Sequence, residues 1–133
     1  MCSSDLDPRR VRSERLGLLA EAVAAMSLRL RGYRILGRRV RTPHGEIDVI
    51  GVRGRRLAFI EVKYCPTLEA GEAALEAASV DRLTNAAEHW LARHPRYQGH
   101  DLGFDAMIVL PWRLPRYLPD ALQPVGTNAR ADR

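Results

Sequence analysis

The chain has little of three things. Among its 21 basic residues there is one lysine, Lys63. It has two cysteines, Cys2 and Cys65, too few and too isolated for a disulfide framework or a zinc site to be expected. It also has no long hydrophobic run, because Arg, Glu or Asp interrupts every apolar stretch well short of the ~18–20 residues a membrane span needs. The opening Met1-Cys2-Ser3-Ser4-Asp5 has no apolar stretch behind a basic start, which argues against a secretory signal. A cytoplasmic protein without a membrane partner is expected.

What is present suits one domain. The chain has 133 residues, 46% hydrophobic and 28% charged, too short for a second full core and too apolar for wholesale disorder. The net charge of +5 is unevenly spread. Residues 1–56 carry 13 arginines against 6 acids, whereas residues 57–133 carry 8 basic residues against 10 acids. A basic half suits a polyanion such as nucleic acid, although arginine-rich surfaces also serve solubility alone.

The arginine bias makes Lys63 conspicuous. Lysine is a compact point charge whose pKa falls on desolvation, whereas arginine is a wide planar fork that stays charged. A lone lysine could be a chance survivor, so its neighbourhood decides.

Residues 1–12 read as a flexible basic tail, 13–123 as the domain, and 124–133 as a second flexible tail. A helix is predicted from Ser13, as N-cap, to Arg31, with Gly32 as its stop. Leu16, Leu19, Ala20, Val23, Ser27 and Leu30 form its expected buried stripe. Strands are predicted over Tyr33–Thr42, Glu46–Val52 and Arg56–Lys63, with a turn at Pro43-His44-Gly45. A mostly helical stretch follows from Leu68 to Arg93, with Ser79 as an internal cap candidate. Further strands are expected at Phe104–Leu110 and Leu114–Leu118. This order suggests an α/β fold, a mixed sheet with helices packed on it.

Alternation along the second and third strands separates two kinds of face. Ile47, Val49, Ala58, Ile60 and Val62 make one apolar face. Glu46, Asp48, Glu61 and Lys63 collect at the far end of the other, beyond Ile50, Leu57 and Phe59. A hairpin can set Asp48 opposite Phe59 or opposite Glu61, and either register keeps Asp48 on the face of Glu61 and Lys63. Two carboxylates held close repel unless a proton or cation intervenes. Mg²⁺ suits such a pair, since it takes oxygen ligands and keeps several waters. A lysine beside it could position a water or stabilise charge building on a phosphate. The plainer alternative is an exposed Glu–Lys surface pair worth under ~1 kcal/mol.

Gly45-Glu46-Ile47-Asp48 followed by Phe59-Ile60-Glu61-Val62-Lys63 resembles the PD-(D/E)xK nuclease superfamily. More closely, the chain resembles the YraN-like family of bacterial proteins, which are similar to Holliday-junction resolvases. Gly17-x-x-Ala20-Glu21, Gly32-Tyr33, Ala86-Ala87-x-x-Trp90-Leu91 and Phe104-Asp105 extend the likeness over roughly residues 14–122. The resemblance implies a restriction-endonuclease-like fold, a mixed central β-sheet flanked by helices. It implies Asp48, Glu61 and the main-chain carbonyl of Val62 as ligands of Mg²⁺ or Mn²⁺, with Lys63 as the catalytic lysine. Glu21 would be the helix acid that approaches the site, although the helical wheel alone reads it as solvated. Three positions depart from the family pattern. Cys65 and Gly103 stand where arginines are usual, and Ser79, with Arg82 close by, stands where a lysine is. Each departure removes a cation that could touch phosphate.

The four histidines, His44, His89, His94 and His100, lack ligand spacing and read as surface residues. Trp90 reads as core. Trp112 and Tyr117 are more open to stacking or interface roles.

The expected function is a metal-dependent endonuclease acting on DNA, branched or damaged, with Arg34, Arg38, Arg39, Arg41 and Arg82 on the phosphate backbone. A nucleic-acid-binding module with a weak or dead nuclease site, within a repair or recombination complex, is the alternative. A protein-interaction domain without a nucleic-acid role is a third reading. Resolvase-like enzymes that cut two strands symmetrically usually need a homodimer, but no stripe in this sequence identifies an interface.

Overall fold

A computed structural model describes residues 10–123, with side chains from residue 17 onward. The element order is α1 (Arg10–Leu30), β1 (Arg34–Thr42), β2 (Gly45–Arg53), β3 (Arg56–Tyr64), α2 (Leu68–Glu76), α3 (Val80–Ala92), a 3-10 turn at Pro95–Tyr97, β4 (Asp101–Val109) and β5 (Arg116–Leu118). The expected tails at 1–9 and 124–133 lie outside the described residues. Positions 10–12 belong to α1, so that helix begins before the anticipated Ser13 cap.

The five strands form one mixed sheet in the order β1-β2-β3-β4-β5. β1, β2 and β3 run antiparallel to one another, β4 runs parallel to β3, and β5 is antiparallel to β4. Parallel pairing of β3 with β4 requires a crossover, which α2 and α3 supply. The predicted single helical stretch is two helices. Ala77 caps the first, and Ser79 starts the second by accepting the Arg82 N–H at 3.1 Å. Thr67 caps α2 in the same way, accepting the Ala70 N–H at 3.1 Å. β5 begins later than the expected Leu114, because Pro115 has no N–H to give a ladder.

Helices cover both faces of the sheet. Leu83, Ala87 and Trp90 of α3 pack on Ile50, Leu57, Phe59 and Phe104. The core assignment of Trp90 holds, its ring lying edge-on to Phe59 at 5.9 Å. On the opposite face, Ala20, Ala24 and Leu28 of α1 pack on Val49, Ala58, Ile60 and Met107. The buried side of α1 is Ala20, Glu21, Ala24, Ala25 and Leu28, rotated from the predicted stripe. Leu19 and Leu30, expected inside, are 61% and 82% exposed. Small residues face the sheet, so the helix backbone lies close to it.

Two features of β2 position the site. Arg53 pairs with Arg56 across a Gly54-Arg55 turn, and the ladder runs to Val49 opposite Ile60. Continued, that register sets Asp48 opposite Glu61, one of the two predicted. The alternation then breaks at Asp48. Val49 belongs to the α1 face as expected, but Ile47 packs on the α3 side with Ile50. The expected uniform face of Ile47 with Val49 is therefore corrected. In β1 the corresponding break is Arg39, flanked by the pairs Arg38 with Val49 and Val40 with Ile47. Arg39 has φ +50°, an unusual backbone for a non-glycine residue and a common feature of functional sites.

Candidate active site

Where the β2–β3 ladder ends, the Asp48 side chain takes over its bonding. Its Oδ2 accepts the Val62 N–H at 2.8 Å. Its other oxygen has no hydrogen-bond partner among the described residues. Burial and repulsion from Glu61 push the Asp48 carboxyl up from 3.8 to about 7, with the Val62 N–H and Lys63 opposing. A carboxyl in that state has too little positive charge around it.

Glu61 stands on β3 with its side chain 9% exposed. Lys63 lies 3.2 Å from one carboxylate oxygen and Arg82 3.2 Å from the other. Arg82 reaches over from the first turn of α3, and its Nη1 also donates to the Glu46 carbonyl at 3.1 Å. Gly45 makes this possible. A β-carbon there would come 2.8 Å from Arg82 Nη1, and the residue has φ +118°. Arg82 thus stands near where a lysine is usual in the resembled family, and its guanidinium reaches the acid cluster.

Glu21 enters from α1. It is 6% exposed, and its Oε1 is buried without a hydrogen bond. The nearest cation, Arg39 Nη1, lies 3.6 Å away, an ion pair too long to be a hydrogen bond. Burial raises the Glu21 pKa, with Arg39 opposing. The wheel's solvated reading of Glu21 is therefore corrected. The residue sits on the close-packed side of α1 and shares an electrostatic environment with Asp48.

These observations test whether a divalent cation suits the site. A carboxyl whose proton affinity is raised by burial and by a neighbouring carboxylate, and a buried carboxylate oxygen without a donor, are what a hard cation would relieve. Among the described residues no group of three or more His, Cys, Asp or Glu side chains is arranged to hold a metal. The fit therefore rests on two carboxylates, Asp48 and Glu61, with main-chain oxygen and water completing the set. Val62 is fixed beside them by its bond to Asp48.

The predicted arginines divide. Arg39, Arg41 and Arg82 each pair with an acid of the cluster, Glu21, Glu46 and Glu61 respectively. Arg38 is exposed midway along β1, and Arg34 is exposed at the opposite end of the sheet.

Sequence reasoning missed a second charged centre. Asp105 on β4 is 0% exposed. Arg56 grips it with two bonds of 2.7 and 2.8 Å, the Asp120 N–H donates at 2.8 Å, and the Tyr117 hydroxyl donates as well. Tyr33 joins through Arg56 Nη1 at 2.9 Å. The tyrosine hydroxyl of Tyr117 is held well above its usual range by burial and by Asp105. Gly103 has its reason here, because any β-carbon would run into the Arg56 guanidinium. The space beside Gly103 is filled by Arg56 from the neighbouring strand. A lone acid within the apolar run 102–110 was the available signal.

A mixed five-stranded sheet, helices on both faces and the acid cluster at a strand split make this an α/β protein consistent with the restriction-endonuclease-like fold. The chain belongs to the uncharacterised protein family UPF0102, the YraN-like family of bacterial proteins, whose profile matches residues 20–109. Relatives named UPF0102 protein share 47% identity over 83% of this chain and 83% of their own in Parvibaculum lavamentivorans. The figures are 46% over 92% and 96% in Methylorubrum extorquens. No helix among the described residues is long and apolar enough to cross a membrane.

Proposed function

We propose that this protein is a metal-dependent endonuclease that hydrolyses phosphodiester bonds in branched or damaged DNA, in repair or recombination. The observation that carries the reading is the meeting of Asp48 and Glu61, with Lys63 beside them, where β2 and β3 part. Asp48, Glu61 and the Val62 carbonyl would hold Mg²⁺ or Mn²⁺. Such an ion, when bound, supplies charge against the phosphate and a more acidic water.

The chain's own residues do the rest. The Val62 N–H fixes the Asp48 carboxylate in orientation. Lys63, anchored 3.2 Å from Glu61, offers its ammonium to the attacking water or to the charge growing on a phosphate oxygen. Arg82 is the other cation placed to meet a phosphate, once it leaves Glu61. The arginines of β1 hold the backbone without reading sequence.

The test is cleavage of linear, single-stranded, flapped and four-way DNAs with Mg²⁺ or Mn²⁺, alongside Asp48→Asn. Metal-dependent cutting lost in the variant is expected. Cutting that survives the variant unchanged would refute the assignment.

One observation favours a second reading, a DNA-binding module with a weak site. Both oxygens of Glu61 are already occupied, by Lys63 and Arg82. Salt-sensitive DNA binding with no cleavage under any metal would select it.

A further inference from the structure

The opposite end of the sheet carries a basic pocket that the acid cluster does not use. It measures about 420 Å³, its lining includes Gly32, Arg34, Arg53, Arg96, Tyr97 and His100, and no acid among the described residues lines it. Arg34, Arg53 and Arg96 come from three separate elements and are exposed. Two of them are held in place by aromatic rings. The Arg53 guanidinium lies 4.6 Å from the Tyr33 ring centre and donates to the Arg31 carbonyl at 3.0 Å. Arg96 lies 5.3 Å from the Tyr97 ring centre. Stacking fixes the guanidinium planes and leaves donors for a ligand.

Three guanidinium groups converging on an open pocket without a carboxylate suit an oxyanion, above all phosphate, which arginine meets with paired donors. The pocket's place indicates which phosphate. Arg53 lies five residues beyond Asp48 on β2, about 17 Å at ~3.3 Å per residue. Along duplex DNA that is about five base pairs at ~3.4 Å each. Arg34, Arg38 and Arg41 on the edge strand β1 run between the two ends.

We infer that this pocket is a second backbone clamp, which holds a DNA phosphate about five base pairs from the acid cluster. The inference rests on the nuclease reading and adds a binding site to it. Its chemistry would also accept a free phosphate or pyrophosphate, so the experiment has an arm for each source.

The experiment measures binding of a labelled duplex by the full chain across a salt series. Wild type is compared with Arg34→Ala/Arg53→Ala/Arg96→Ala and with Arg34→Ala/Arg96→Ala, which keeps the Arg53 contacts to Tyr33 and Arg31. Melting curves verify folding. The clamp predicts that the salt slope falls by about 1 for the triple variant and by about as much for the double, at ~0.9 for the one phosphate no longer neutralised. Affinity at low salt should fall at least tenfold. A folded double variant with the wild-type slope and affinity overturns the clamp and leaves the nuclease reading standing. A wild type that binds no duplex overturns both. In the second arm wild type is titrated with pyrophosphate. Competition with duplex, lost in the double variant, supports the clamp. Pyrophosphate binding that duplex does not displace makes this a small-anion site and overturns the backbone assignment.

Discussion

Asp105 and Asp48 are both carboxylates drawn into the sheet, and they are treated in opposite ways. Asp105 is fully enclosed and completely bonded, with an arginine fork, a tyrosine hydroxyl and a main-chain N–H on its two oxygens. Asp48 has one N–H and a second carboxylate as neighbour. The first arrangement satisfies every charge within the chain and ties β3, β4 and the segment after β5 together. The second leaves a deficit of positive charge that a proton or, on the proposed reading, a cation would make good. Buried charge that is satisfied locks a fold, and buried charge left short is where a ligand acts.

The contrast can be broken at its strong end. Asp105→Ala leaves the Arg56 guanidinium without its main partner, and a loss of about 3–5 kcal/mol is expected in chemical denaturation. At the weak end the sign reverses. Asp48→Asn removes a carboxylate that the fold disfavours, so the metal-free protein should gain about 2 kcal/mol at pH 8. That is less than the full displacement from 3.8 to about 7 would give, because water reaches the cleft. The pH profile carries the same sign. Above pH 3.8 the unfolded chain releases the Asp48 proton while the folded chain keeps it, so the folded state binds more protons. This contribution to stability therefore falls as pH rises from about 4 to about 7 and is level beyond. Denaturation midpoints of wild type and Asp48→Asn should coincide near pH 4 and separate by pH 8. Equal midpoints at both would contradict the reading.

Smaller changes sharpen the comparison. Gly103→Ala pushes a methyl group into Arg56, and about 1–2 kcal/mol of overpacking cost is expected in the same assay. Arg41→Ala breaks only a pair in which the arginine side chain is 83% exposed, and should cost under ~0.5 kcal/mol.

The legible parts of this molecule are those with a simple period or an odd residue out. Alternation in β2 and β3, together with the solitary Lys63, was enough to place Asp48, Glu61 and Lys63 on one site. Ser79 announced the start of α3 as a capping residue should. The face of α1 differs from the wheel because its buried side is mainly alanine and glutamate, with Leu28, while Leu18, Leu19 and Leu30 point outward, the reverse of what a hydrophobic wheel assumes. Ile47 escaped for a local reason, since strict alternation fails where Asp48 and Arg39 rotate the strands. The Asp105 network and the arginine pocket join residues far apart in sequence, and no spacing rule connects Arg56 to Asp105 or Arg34 to Arg96.

The central claim is that Asp48 and Glu61 form a cation site. Calorimetric titration of the protein with Mn²⁺ at pH 7, repeated in buffers of different ionisation enthalpy, tests it most directly. The account predicts one binding event that releases about half a proton, because the Asp48 carboxyl titrates near 7, and its loss in Asp48→Asn. No binding by wild type, or the same binding and proton release in the variant, would contradict it.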